Sequence, residues 1–441
     1  MKKSGILLLL LSMVIASNCL SRGDDERSFK KLIANCAIPL ENSGSLDPLI
    51  EMSSGRKLVL LGEATHGTRE FYAWRDSITR RLISETGFNF ILVEGDWASL
   101  FLLNRYVKGH SDFSTATEVV QQFNRWPSWL WRNQEVVALA EWLRDFNQQR
   151  PPERKVGFYG MDVYDEWSSF DELMTSLEAY DANLAGKVSE YYNCMKAFEH
   201  DSWHYAMSVS RGYNACAPFL KAAFDFLEGN LQTDDQMSAY DKLYLVQNAR
   251  VFKNAEKFYR KAVSDQGASW NSRVMHMFVT LQAMLDFYGP EAKAIVWAHN
   301  THIGDARATD MAAQGQINIG QLAREHFNAE KVLLLGFGAY KGQVMAGRQW
   351  GHEMTECIMP EAMPGSFEDL LVRMLGGDFL LMMNPKLKKH PFMRNKIGHR
   401  AVGVVYNPDH ERYGNYVPTI PGERYDAFIF FENTAPLNFV E

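Results

Sequence analysis

Residues 57–97 read KLVLLGEATHGTREFYAWRDSITRRLISETGFNFILVEGDW. Residues 57–61 form a short apolar run stopped by Gly62, and 88–93 form another that ends at Glu94-Gly95. Short runs this rich in Leu, Ile and Val are what buried strands of a parallel sheet require. Between them Phe71, Trp74, Ile78 and Leu82 recur at near-helical spacing, with Thr68 placed to cap the helix and Thr86-Gly87 to end it. Strand, helix and strand in this order predict a βαβ unit, whose right-handed crossover brings both strand exits to one edge of the sheet.

Open α/β sheets hold ligands at that edge, and polar residues gather at both exits. Glu63 and His66 follow the first strand, and Glu94 ends the second. Arg75 lies one turn beyond Phe71 on nearly the same helix face. Helical side chains lean toward the helix N-terminus, so its guanidinium is expected to reach back over the Glu63/His66 turn. Placed beside Glu94 as well, it would keep that carboxylate ionised.

Further along, 98–106 and 133–147 read as helices around an aromatic segment, 123–131 (FNRWPSWLW), broken by Pro127. Most of its rings are expected in the core, and the rest could wall an apolar pocket. Residues 155–159 read as a third strand leading into Gly160-Met161-Asp162, where Asp162 suits a helix N-cap. From 168 to 289 only helical periodicity is present, which predicts a helical insertion over about 165–289. A strand at 292–298 then ends in His299-Asn300-Thr301-His302, and further strands are expected at 332–337, 343–346, 379–382, 402–406 and 428–431. The predicted class is α/β: a mixed, mostly parallel sheet flanked by helices, with a large helical lobe.

A chain of 441 residues with 46% hydrophobic content can bury a large core. Its net charge of −7 argues against nucleic acid and anionic membrane surfaces as partners. Residues 1–19 carry Lys2 and Lys3, then an apolar core at 5–16, then Ser17-Asn18-Cys19, the order of a secretory leader and too short for a spanning helix. Cys19 stands where a lipoprotein leader is cut and the new terminus acylated. The expectation is an exported protein, periplasmic or membrane-anchored, with a tether at 20–44 and a catalytic domain at 45–441. Of the other cysteines, Cys194 and Cys216 could face each other as a disulfide, and buried free thiols are the equal alternative. His200 and His204, spaced i, i+4, read as a solvated helix face rather than a metal site.

Among twelve histidines, only His66, His299 and His302 directly follow predicted buried strands. With Glu63, Arg75 and Glu94 they form one candidate site, open to two chemistries. A His paired with a Glu can deprotonate water while another His or Arg75 stabilises the oxyanion of an ester, with no metal or cofactor. Alternatively the three His and a carboxylate bind a metal that activates water. A fixed Arg75 cation opposes the second.

The motif Gly62-Glu63-Ala64-Thr65-His66-Gly67 with Arg69-Glu70, and then Glu94-Gly95-Asp96-Trp97, resembles the erythromycin esterase family. So do Trp126/Trp131, Phe158-Tyr159-Gly160-Met161-Asp162, Trp297-Ala298-His299-Asn300-Thr301-His302, Gly320-Gln321-Leu322 and Tyr425-Asp426-Ala427, covering about Ser45 to the C-terminus. The resemblance implies an α/β core with a helical lobe and metal-free hydrolysis of a lactone ester. His66 would be the general base, with Glu63, Arg75, Glu94, His299 and His302 completing the site. It also implies a small-molecule substrate such as the macrolide ring, and a role in antibiotic resistance. The wider group is thought to include metal-dependent hydrolases and haem-handling lipoproteins, so a metal-dependent hydrolase or peptidase and a metal- or haem-binding lipoprotein stay open.

Overall fold

The computed structural model describes residues 25–441; the expected leader and Cys19 lie outside the described residues. Eleven strands occur among them: β1 (Ala37–Pro39), β2 (Leu58–Leu61), β3 (Phe90–Val93), β4 (Gly157–Gly160), β5 (Ala294–Trp297), β6 (Val332–Gly347), β7 (Met354–Met359), β8 (Phe379–Met382), β9 (Ile397–Arg400), β10 (Tyr416–Thr419) and β11 (Ala427–Thr434). Nine make one sheet in the order β1-β8-β11-β6-β2-β5-β3-β4, with β7 paired to β6. From β11 to β4 the neighbours are parallel; β1, β8 and β7 pair antiparallel. The class is α/β with a mixed, mostly parallel sheet.

Alternation along the strands divides the core. Val59, Leu61, Ile91 and Val93 join one hydrophobic cluster, and Leu58, Leu60, Phe90 and Leu92 join another on the opposite face. Helix α1 (Arg69–Thr86) packs Phe71, Ile78 and Leu82 into the first cluster and ends at Gly87 in the left-handed region, φ 77°. Thr68 stands at its N-cap but makes no side-chain cap bond; its hydroxyl pairs with that of Thr65 instead. Helix α2 (Trp97–Lys108) follows β3, and α3 (Gln134–Gln148) packs against both α1 and α2.

Between β4 and β5 the chain is helical: α4 (Glu166–Tyr180), α5 (Ala182–Tyr192), α6 (Ser202–Ser210), α7 (Ala217–Gln232), α8 (Ala239–Ala262) and α9 (Gln266–Tyr288). Helices α4 to α8 share a separate cluster around Leu173, Tyr205, Leu220 and Phe252, whereas α9 packs Val274, Met277 and Leu281 against the sheet. Cys36, Cys194, Cys216 and Cys357 are free thiols, and Cys194 packs against the cluster that buries Cys216. His204 lies on α6, and the His200 side chain before it is 62% exposed, as a solvated face requires. Among the described residues no helix is long and apolar enough to cross a membrane.

Two strand expectations are corrected. Residues 332–347 form one continuous strand, because β11 pairs along it past the polar Lys341-Gly342 step and β7 takes over from Gly342. Residues 402–406 form isolated bridges, Val402 to Thr65 and Val405 to Gly347, rather than a strand. Their apolar side chains close a loop over the sheet edge, and the β9–β10 ribbon beside them is a separate two-stranded unit.

Register places the site. β5 lies between β2 and β3, so the two ends of the βαβ unit are not neighbours but flank a strand supplied some two hundred residues later. Leu61, Trp297 and Val93 stand level across the three strands. The residues that follow, Glu63, His299 and Glu94, therefore leave the sheet together.

Candidate active site

His66, Glu94, His299 and His302 line one cavity of about 390 Å³ at this edge, a size suited to a small organic molecule. Phe123, Pro127, Leu130 and Trp131 of the aromatic segment form one wall, whereas Trp129 is buried in the core. Trp270, Tyr164 and Trp350 close other sides, Ala401, Gly403 and Val404 come from the loop after β9, and Val417 comes from β10 of the small ribbon.

Behind His66 runs a chain of charge. The Arg75 Nη2 donates to Glu63 Oε2 at 2.8 Å, and Glu63 Oε1 meets His66 Nδ1 at 2.7 Å. A carboxylate there fixes the proton on Nδ1 and leaves Nε2 as the basic nitrogen. Burial pulls the His66 pKa down, but the Glu63 hydrogen bond and the negative charges of Glu63 and Glu94 outweigh it, and the net shift is upward.

Arg75 is fully buried and does not border the cavity. Its guanidinium lies over the rings of Tyr72 at 4.2 Å and Trp297 at 4.6 Å. The expectation that Arg75 could stabilise an oxyanion, or sit beside Glu94, is corrected: helix α1 aims it at Glu63, and it is sealed away from the cavity.

The partner of Glu94 is Arg273, which the sequence reading missed. From the lobe helix α9, Arg273 Nη2 donates to Glu94 Oε1 at 2.7 Å and Nη1 lies 3.1 Å from His302 Nε2. Its Nε and Nη2 donate to both oxygens of Asp162 at 2.8 and 2.6 Å. Asp162 is thus a clamp for Arg273 and not a helix cap; the cap of α4 falls at Asp165. His276, one turn on, donates through Nε2 to the Asp162 carbonyl at 3.0 Å and accepts from Asn254 at 2.9 Å, which fixes the register of α9. A signal for Arg273 was present: it falls on the face that carries Met277 and Leu281, both buried, and a lone charge on an apolar stripe needs a partner.

Glu94 also accepts the His299 backbone N–H at 2.8 Å, and His302 Nε2 stands 3.2 Å from Oε1. Burial alone would raise the Glu94 pKa; His302 and Arg273 hold it well below the usual carboxylate range. His302 stacks on Trp270 with centroids 4.5 Å apart.

His299 differs from His66. Its Nδ1 accepts the Thr301 backbone N–H at 3.2 Å and meets the Thr301 hydroxyl at 2.8 Å, so the ring proton sits on Nε2. Burial, and next the neighbouring His66, push its pKa well below the ordinary histidine value, so the ring is neutral. Nε2 has no hydrogen-bond partner within the protein, and its ring centroid is 5.0 Å from that of His66. A buried donor left unpaired costs about 1–3 kcal/mol, a cost that an acceptor reaching it would recover.

The metal-ligand reading of His66, His299 and His302 does not fit this geometry. Among the described residues no group of three His, Cys, Asp or Glu side chains could hold a metal ion. His302 Nε2 is occupied by Glu94 and Arg273, and His299 Nδ1 by Thr301.

A family model described as erythromycin esterase matches residues 83–434. The chain is 21% identical to "Putative hydrolase YbfO" of Bacillus subtilis (strain 168) over 462 aligned residues, 98% of this chain and 96% of that one. Among solved structures, a succinoglycan biosynthesis protein aligns with a TM-score of 0.75 at 20% identity, over 94% of this chain and 99% of its own. An erythromycin esterase mutant, EreC, in its open conformation, aligns with a TM-score of 0.66 at 15% identity, over 91% of this chain and 96% of its own. At these identities the solved structures speak for the fold alone.

Proposed function

The chain belongs to the erythromycin esterase family, and from that premise we propose that it is a hydrolase cleaving a carboxylic ester or lactone by general-base activation of water. The observation that carries the reading is the Arg75–Glu63–His66 chain ending at a cavity in which His299 offers an unpaired N–H across from the base.

In this reading a water on His66 Nε2 gives up its proton as it attacks the carbonyl carbon. The Glu63 carboxylate steadies the imidazolium that forms, as a buried acid does for a catalytic histidine. The developing oxyanion accepts from His299 Nε2–H, a desolvated donor, and desolvation is a condition for strong electrostatic stabilisation. Glu94, held ionised by Arg273 and His302, fixes the His299 backbone and keeps the region around His66 negative, favouring its protonation once the water is cleaved. Arg273 has every guanidinium nitrogen engaged and organises the site from the lobe side.

The walls suit a substrate with a large apolar body, and the macrolide ring is a candidate of that kind. The leader read at residues 1–19 supports export, with Cys19 as a lipid-anchoring point. The test is incubation of purified protein with a panel of macrolides and other lactones and esters, followed by mass spectrometry. The expected product carries the mass of one added water, formed equally with and without a chelator. Turnover that a chelator abolishes would overturn the metal-free mechanism, and no product from any ester or lactone would overturn the hydrolase reading.

A further inference from the structure

General-base attack accounts for half of ester cleavage. The other half is departure of an alkoxide, a poor leaving group unless a proton reaches it as the bond breaks. His66 has taken its proton at the attacking side, and Arg75 is out of reach beneath the floor. Arg273 is spent on carboxylates and on His302.

The Asp96 carboxyl on the cavity wall is held through both oxygens by Arg125, and the phenol of Tyr164 stands on the same wall. It lies in the turn between β4 and α4, four residues after the last of β4, and is half-buried with its ring edge-on to Phe258 at 5.2 Å. None of the hydrogen bonds that organise the site uses its hydroxyl. Two guanidinium groups lie over its ring, that of Arg273 at 5.0 Å and that of Arg125 at 5.3 Å from the centroid. Each is tethered: Arg125 to both oxygens of Asp96 at 2.6 and 2.7 Å, Arg273 to Asp162 and Glu94.

The backbone beside the ring is constrained as well. Asp165, the next residue, is held in the left-handed region at φ 58°, ψ 40°, a conformation that a non-glycine residue occupies at some cost and that clusters at functional sites. Its carboxylate accepts from Ser168 at 2.7 Å and from Ser99 at 3.3 Å, which locks the turn.

We propose that Tyr164 is the proton donor to the leaving oxygen, an inference that rests on the hydrolase reading. When the tetrahedral intermediate collapses, the carbon–oxygen bond breaks with its electron pair going to the leaving oxygen, and the phenol proton moves there. The phenolate left behind lies near the Arg125 and Arg273 guanidiniums, whose positive charges offset part of what burial and the carboxylates of Asp162 and Glu94 cost it. The proton that His66 took from water returns to Tyr164 through the solvent in the cavity. The sum is ester plus water giving acid plus alcohol.

The test is a series of esters of one acid whose leaving groups run from an alkyl alcohol to 4-nitrophenol, measured with wild type and Tyr164→Phe. For Tyr164→Phe, kcat/KM is expected to fall on the order of 10²-fold for the alkyl ester and at most about fivefold for the 4-nitrophenyl ester, which leaves without a proton. Equal losses across the series would overturn the proposal while leaving the hydrolase reading standing. Absence of wild-type turnover on every ester would instead remove that reading. Should the variant not fold, the wild-type series still decides: rates nearly independent of leaving-group acidity support proton donation, and a steep dependence overturns it.

Discussion

Two arginine–glutamate pairs frame the site, and they are built differently. Arg75 and Glu63 are twelve residues apart within one βαβ unit, and the arginine is fully sealed under aromatic rings. Arg273 and Glu94 are 179 residues apart, joining the helical lobe to the sheet, and the arginine remains at the cavity wall. The first pair is a local device that holds the His66 ring. The second is a long-range brace that makes the lobe part of the site. A pair sealed from water costs stability when half of it is removed, because the remaining charge has no solvent to turn to; a pair at a wet cavity is relieved by water and should register mainly in rate.

Four experiments press on that difference. His66 is where the first pair delivers its effect, so His66→Ala should lower kcat/KM by about 10³- to 10⁴-fold with an unchanged melting temperature; turnover within tenfold of wild type would take the base role from it. Arg75→Ala should destabilise the fold by about 3–5 kcal/mol in denaturant titration, since Glu63 would be left buried and unpaired. Arg273→Ala should cost roughly 10²-fold in rate and less stability than Arg75→Ala. The reverse ranking in stability would show that the lobe brace, not the local pair, holds the edge of the sheet.

The smallest effect is a shift in pH profile. The His66 pKa is raised, and a base must be unprotonated, so kcat/KM should climb as pH rises through a value above the ordinary 6.5. Glu63→Gln removes the leading upward cause and leaves burial and Arg273 pulling down against Glu94 alone, so the acid limb should move to lower pH. The linked stability has the matching sign. A raised folded pKa contributes stability that is complete below the unfolded value and is lost as pH rises through the folded one. His299, with its pKa depressed, does the opposite and costs stability as pH falls below its unfolded value. An unmoved acid limb in Glu63→Gln would show that the limb belongs to another group.

The same contrast explains what could be read in advance. Glu63, His66, Glu94, His299 and His302 were legible because each directly follows an apolar run, and a strand's end is a place the chain itself marks. The Arg75–Glu63 contact followed from helix geometry, since a guanidinium two turns into α1 leans back toward the preceding turn. Arg75 as an oxyanion donor was misread, because spacing places a side chain along a helix but does not say which side of the floor it lies on. Asp162 was taken for a cap because its one visible neighbour was a helix start; its real partner lies 111 residues away.

The chain's order of residues settled the strand and helix types, the edge at which polar groups collect and the identity of the histidines there, because periodicity and the strand-to-loop step are local properties. Tertiary structure alone decided that β5 fills the gap between β2 and β3, that Arg273 and Tyr164 arrive from the lobe side, and that Arg75 is sealed away. Those facts depend on which surfaces bury one another across distant segments, and burial is a sum over the whole folded chain that no short stretch contains.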